Sequence, residues 1–472
     1  MAPMQRQGPG RRTWLILSVC LTLLMVSYTY GDNTVITLHG MNVWSALRDG
    51  ELLHFYQYNE GVSPPSEEFR PVPIIYGFLT FLIIAVWNLP LWLLQEFAGI
   101  NVFTSLPTLV WMKSMNVLFM LGTAWLVQRI SLRLAPTSRW VPWSGFFFLT
   151  SGFLVAAVFV MGQFDIIHVF FVVLGLHFLI HGRRRAFVVA FAVAVAIKWF
   201  PLFVFLPVLL LVEKRISRIL VSLAVAVSVA FAFKLPFLFS ENPSAEVGSE
   251  LIRQMVLSNR LPLGLEGVPV FPVLFALVCI GCFLHRPVDT AALNRAVVYA
   301  GFAGVATFFV SAPAFPYWFA LLCPFVAILW ATHPGLAKVT LMIETGMVAA
   351  LIIQHQVHFY WTYDLSVVSP MLLPRIFDPV DSLVQQVTPT SLYSRLGLIP
   401  YLSMLGAVFT AGMAALLVLF RPHGEGVVDQ RPAHDDDHVE ALIYGRGIVM
   451  LALMLVPAAA YFYSLLVHGT TT

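Results

Sequence analysis

Apolar residues fill run after run of this 472-residue chain, and polar positions are confined to short interruptions. A hydrocarbon layer about 30 Å thick takes about 20 helical residues to cross. Runs of that length recur almost from end to end, beginning at Trp14–Tyr30. The pattern predicts an all-α, polytopic transmembrane bundle of roughly 11–13 spans. Residues 1–472 read as a single integral membrane domain, with no hydrophilic stretch long enough for a separate soluble one.

Basic residues orient the runs, because cytoplasmic loops collect Lys and Arg. Arg6, Arg11 and Arg12 precede the first run, which reads as a retained anchor with its N-terminus inside. The clusters Arg129–Arg139, Arg183–Arg185, Lys214–Arg218, His285–Arg295, His333–Lys338 and Arg421–Arg446 then belong inside. Residues 31–107 become a first outer loop, and 421–445 a cytoplasmic loop before the last span. Val72–Phe97 cannot be a full crossing if Thr108–Val127 is one, because Arg129, Arg133 and Arg139 would then lie outside. It is expected to form re-entrant or interfacial helices broken at Pro90. Arg185 and Glu213 flank a second such stretch with basic residues on both sides. A hairpin of two short helices, with Lys198, Trp199 and Pro201 at its outer tip, satisfies both ends.

Composition sharpens the class. Apolar residues make up 59% and charged residues 11% of the chain, against about 25% charged in soluble domains. The formal charge of +3 is small and its basic residues are scattered, which excludes a nucleic-acid-binding face. Cys20, Cys279, Cys282 and Cys323 all lie in apolar runs; the Cys279/Cys282 spacing lacks the second pair that would make it a metal or redox site. The Asp435–Asp437 run beside His434 and His438 reads as a solvated loop. No repeat of 20–50 residues is present.

The polar residues that remain gather on the outer side. Asp32 follows the first run immediately, where a carboxylate serves either as a helix cap or as a general base for an incoming hydroxyl. His39, Glu60 and Arg70 share its loop, a polar and aromatic stretch suited to an acceptor glycan. Gly162-Gln163-Phe164-Asp165 joins two spans with no room for a loop, so Gln163, Asp165 and His168 sit at the hydrocarbon boundary, where ionisable groups are costly. Lys198 stands alone in an apolar run, able to snorkel or to hold a lipid phosphate. Tyr317 and Trp318 fit an aromatic belt or a binding surface. His355 and His358 share a helix face without a third metal ligand, which favours phosphate or hydrogen bonding over a metal.

These motifs together resemble the C superfamily of membrane glycosyltransferases, particularly the polyprenol-phosphate-mannose-dependent mannosyltransferases. Gly162-Gln163-Phe164-Asp165 is similar to that family's Gly-Gln-x-Asp turn, and Lys198 with Pro201 follows at the family's spacing. Pro316-Tyr317-Trp318 with Pro324 is similar to its Tyr-x-x-Trp-x-x-Pro segment, although here Tyr and Trp are adjacent. Asp32, Gly50 and Tyr56 occupy the positions of the family's acidic base, Gly and Tyr in the first outer loop. Asn33-Thr34 breaks its Asp-x-Asp pair, so no metal and no cofactor are expected. The resemblance implies inverting transfer of a sugar, mannose favoured, from a polyprenyl-phosphate donor to a lipid-linked or envelope glycan acceptor on the non-cytoplasmic face. Asp32 would act as base; Lys198, with His355 or His358, would stabilise the leaving phosphate; Gln163, Asp165 and His168 would orient the sugar or the base.

Two other classes fit the same pattern. A lipid-linked sugar transporter would use midplane charges, for which Lys113 and Glu344 are the candidates. An envelope polysaccharide polymerase or ligase would depend on the basic and His residues of a large outer loop. No usable Asn-x-Ser/Thr sequon occurs, which favours a bacterial inner membrane over the endoplasmic reticulum.

Overall fold

The computed structural model describes residues 8–28, 31–60, 62, 76–237, 250, 253–263, 266–358, 389–422 and 437–468, with the backbone alone described at 31–32, 104, 358, 437 and 461–468. The chain is an all-α polytopic bundle, and the only strands among the described residues are a two-stranded antiparallel ribbon pairing Arg260 with Pro269 and Leu261 with Val268. Among the described residues six helices are long and apolar enough to cross a membrane: Leu106–Leu134, Ile216–Phe237, Thr290–Ser311, Pro334–Val357, Ile399–Leu419 and His438–Ala460. Two bent pairs raise that to eight. The larger count expected from the sequence requires shorter apolar helices such as Asp165–Ile180 and Val270–Leu284 to cross as well.

Local chemistry sets where these helices start and stop. Ser105 caps the Leu106–Leu134 helix by accepting from the Thr108 N–H at 3.4 Å, and Asp289 caps Thr290–Ser311 by accepting from the Ala292 N–H at 2.6 Å. The expected break in the first outer region is present as Phe78–Trp87 followed by Leu89–Ala98, bent by 67°. The bend falls at Asn88, two residues before the proline, because Pro90 sits in the first turn of the second helix, where its missing N–H costs nothing. Asn88 Nδ2 then donates to the Ile84 carbonyl at 3.0 Å, satisfying an end group of the first helix.

The hairpin expected between Arg185 and Glu213 is also present, as Arg184–Ile197 and Leu202–Val212 with Lys198–Pro201 between them. The broken outer pair packs on its tip. Thr80 Oγ1 donates to the Ile197 carbonyl at 3.2 Å, and a Cβ on Gly77 would stand 3.1 Å from the Ala196 carbonyl. The span before the Gly162 turn is itself broken, Val141–Leu149 meeting Gly152–Val160 at 45°, and its last five residues, Ala156–Val160, form a π-turn. Nothing in the sequence pattern announces that turn.

On the other side of the bundle, the final helix runs Asp437–His468, so the segment expected to be loop through residue 445 is helical from Asp437 onward. Arg446 is consequently buried in that helix and forks onto Glu344 at 2.5 and 2.6 Å. It also donates to Thr150 Oγ1 at 2.7 Å and lies 4.0 Å from the Phe147 ring centre. Arg446 therefore joins three segments far apart in sequence. Removing one member of a buried pair leaves the other uncompensated at a cost of about 3–5 kcal/mol. Arg446→Ala is expected to lower unfolding stability in detergent by that amount, and Glu344→Gln/Arg446→Met to recover most of it; a loss below about 1 kcal/mol for Arg446→Ala would contradict the assignment.

Candidate active site

The Met161–Asp165 turn is locked by its glycine. Gly162 has φ +64°, in the left-handed region that favours glycine. A Cβ there would also meet Asn33 Cγ at 3.0 Å and Lys113 Cε at 3.2 Å. Asn116 Nδ2 donates to the Gly162 carbonyl at 2.8 Å. Lys113 Nζ donates to three carbonyls, Met25 at 3.0 Å, Tyr28 at 2.5 Å and Phe159 at 2.8 Å. The ammonium thus collects acceptors from the end of the first helix and from the π-turn, and pins both beside the Gly162 turn. Asn33 follows Asp32 directly, so the Asp32 backbone, in the first turn of Gly31–Arg48, is held close to the turn; the Asp32 side chain lies outside the described residues.

Asp165 opens the Asp165–Ile180 helix and is fully buried. Lys198 Nζ, from the hairpin tip, donates to Asp165 Oδ1 at 2.5 Å. The Lys198 side chain is 10% exposed against 1% for Asp165, so the pair sits just beneath the surface with the ammonium outermost. Five aromatic rings surround that ammonium: Trp318 at 5.1 Å, Phe200 at 5.3 Å, Tyr317 at 5.4 Å, Tyr76 at 5.6 Å and Phe164 at 5.9 Å. Ring faces attract a cation electrostatically and most strongly where it is partly desolvated. His168 Nδ1 stands 3.9 Å from Asp165 Oδ1. Asp165 Oδ2, both His168 ring nitrogens and Trp318 Nε1 are buried without a hydrogen-bond partner among the described residues. Unsatisfied polar atoms are rare in folded proteins, and their concentration beside one ion pair marks a place where a polar ligand would complete the bonding.

The structure therefore brings together Asp165, His168, Lys198, Tyr317 and Trp318 from three segments, with buried Gln163 in the same turn. The adjacency of Tyr317 and Trp318 does not scatter them, because the Pro316–Leu321 segment is a 3-10 turn that presents both rings to Lys198. His355 is buried one layer away, its ring 5.5 Å from Phe319 of that turn. The His358 side chain and Arg70 lie outside the described residues. Glu60 is exposed beyond the short Phe55–Tyr58 helix. His39 is 2% exposed and packed against Phe81, so it faces inward and offers an acceptor no accessible surface. Sequence reasoning missed Phe164, Phe200 and Tyr76, although the first two lie directly beside Asp165 and near Lys198 in the chain. It also missed Asn116, whose role rests on a contact 46 residues away.

The other two ion-bearing positions do not join this group into a midplane site. Lys113 is satisfied by backbone carbonyls and Glu344 by Arg446. The four cysteines are free thiols. Among the described residues no cluster of three or more His, Cys, Asp and Glu is placed to hold a metal ion.

Residues 78–247 match glycosyltransferase family 87. The matched 170 residues, a little over a third of the chain, hold the broken outer pair, the Gly162 turn and the Lys198 hairpin. The match supports a membrane glycosyltransferase and leaves the sugar open. Among solved structures the chain is similar to ArnT from Cupriavidus metallidurans bound to undecaprenyl phosphate, at 14% identity over 95% of this chain and 77% of that one, with a TM-score of 0.43. The same protein in the apo state matches at 14% identity over 94% and 76%, with a TM-score of 0.42. No curated protein matches the chain.

Burial of His39 has a consequence outside the spans. It holds the imidazole down to about 4, below the ordinary His value of 6.5. The folded state therefore favours the neutral ring, so this contribution is intact above pH about 6.5 and is lost as pH falls toward 4. The loss amounts to up to about 3 kcal/mol. The unfolding temperature of the wild type is expected to fall more steeply between pH 7 and 4 than that of His39→Leu, and parallel profiles would contradict the buried neutral ring.

Proposed function

We propose that the chain is an inverting glycosyltransferase that moves a sugar, mannose favoured, from a polyprenyl-phosphate donor to a lipid-linked or envelope glycan acceptor on the non-cytoplasmic face. The single observation that carries this reading is the Lys198–Asp165 pair beneath the tip of the hairpin, inside its ring of aromatic side chains and beside the turn on which the Asp32 helix docks. The match of residues 78–247 to a glycosyltransferase family supports the reaction class. The setting is a bacterial inner membrane, and no metal or cofactor takes part.

In this reading the Asp32 carboxylate removes the proton from the acceptor hydroxyl as its oxygen attacks the anomeric carbon. The bond from that carbon to the lipid phosphate oxygen breaks, and the polyprenyl phosphate leaves with the electron pair. One displacement inverts the anomeric centre. The Lys198 ammonium, held by Asp165, offers positive charge where negative charge grows on the phosphate, in surroundings too apolar for water to screen it. His168 and Trp318 contribute ring N–H groups to the sugar hydroxyls, and His355 supports the turn that carries Trp318. Glu60 and Arg70 belong to the acceptor side.

Transport is the weaker reading, because its two candidate charges, Lys113 and Glu344, are each consumed by structural partners in separate places. Transfer of labelled mannose from synthetic polyprenyl-phosphate mannose to membrane acceptors tests the enzyme directly. Asp32→Asn is expected to lower the rate about 10²–10⁴-fold at matched expression. Transfer that survives the substitution would remove Asp32 as base, and no transfer above empty membranes with mannose, glucose or arabinose donors would remove the enzyme class.

A further inference from the structure

The Leu106–Leu134 and Asp165–Ile180 helices meet at the Asn116–Gly162 contact and run together toward the opposite boundary. Thirteen residues of helix separate Asn116 from Arg129, about 20 Å along the axis. There the two helices enclose a groove of about 470 Å³ lined by Trp125, Arg129, Leu132, Arg133, His177 and His181. Among the described residues no carboxylate lies within ion-pair distance of Arg129 or Arg133, whereas nearby Arg184 and Arg218 flank Glu213 at 3.7 and 3.6 Å. The Arg129 guanidinium lies 5.3 Å from the Trp125 ring centre, and the His177 and His181 rings are 4.2 Å apart. His177 Nδ1 is buried without a hydrogen-bond partner among the described residues. Two arginines and two imidazoles thus converge, and among the described residues no carboxylate is paired with either arginine.

The surface leading into the groove is apolar. Leu118, Leu121 and Trp125 are each more than half exposed and recur at the three- and four-residue spacing of one helix face, which continues through Arg129 to Leu132 and Arg133. A water-soluble anion has no use for such a stripe, whereas an acyl chain does. The inward side of this end follows from its basic residues, Arg129, Arg133, Arg139 and Arg183–Arg185.

We propose that this groove is a binding site for the phosphate headgroup of an anionic phospholipid, with Arg129 and Arg133 on the phosphate, His177 and His181 beside it, and an acyl chain along Leu118, Leu121 and Trp125. The site is separate from the proposed transfer centre, and its standing does not depend on that reaction.

Thermal unfolding of the full-length protein in a neutral detergent, titrated with phosphatidylglycerol, phosphatidylcholine or inorganic phosphate, tests the site. Phosphatidylglycerol is expected to stabilise the wild type, less so at higher ionic strength, and phosphatidylcholine to have little effect. Arg129→Ala/Arg133→Ala should raise the half-saturating phosphatidylglycerol concentration about tenfold or more. Arg286→Ala/Arg295→Ala, at another basic end, should leave it unchanged. Glutamines in the same two positions serve if the alanine pair does not fold. Equal losses in both double variants would overturn the site, and stabilisation by inorganic phosphate matching that by the lipid would overturn the lipid assignment.

Discussion

Charge taken out of water costs several kcal/mol per ion unless something nearby replaces the lost hydration. In a chain with this few charged residues, each buried one organises what lies around it. Asp165 is met by Lys198, Glu344 by Arg446, and Lys113 by three backbone carbonyls. The first of these pairs differs from the others. Arg446 forks onto Glu344 and is further satisfied by Thr150 and the Phe147 carbonyl, so that contact is closed. Asp165 keeps one carboxylate oxygen without a hydrogen-bond partner among the described residues, next to a histidine whose two ring nitrogens are likewise unpartnered there. A site left open in this way suits ligand binding, while the closed pair holds helices together.

The Asp165–Lys198 contact also explains the local architecture. The hairpin must reverse direction where Lys198 can reach the turn, and Pro201, three residues later, is the N-cap residue of its second arm. The broken helices 78–98 cover the tip, with Gly77 and Thr80 against its backbone. The Pro316–Leu321 turn closes the other side with Tyr317 and Trp318. Lys113 ties the first helix and the π-turn to the same place, bringing the Asp32 backbone beside it. Several short, irregular elements are therefore gathered where unsatisfied backbone would otherwise be hardest to tolerate.

Much of this was legible from the sequence. Charge placement alone required the bent outer pair and the Lys198 hairpin, because a basic flank cannot be put on the wrong side without cost. The Gly-Gln-Phe-Asp run signalled a tight boundary turn through its polar density. Other features were silent for physical reasons. The π-turn at 156–160 is stabilised by a lysine 46 residues away, and no local pattern encodes a contact of that range. The phenylalanines and Tyr76 around Lys198 looked like any lipid-facing aromatics, since ring placement depends on packing. Arg446 closes a basic cluster that reads as cytoplasmic, and only the partner Glu344 on another helix places it inside the bundle. His39 was read as surface by its polar neighbours, although the helix turns it onto Phe81.

The central claim is that Lys198 and Asp165 act as one unit toward the donor phosphate. Binding of polyprenyl phosphate to the purified wild type, Lys198→Gln, Asp165→Asn and the double variant measures this directly. If the two residues form one unit, Lys198→Gln weakens binding by about tenfold or more, and adding Asp165→Asn changes it far less than the product of the single effects. Folded single variants that bind polyprenyl phosphate as tightly as the wild type would contradict it.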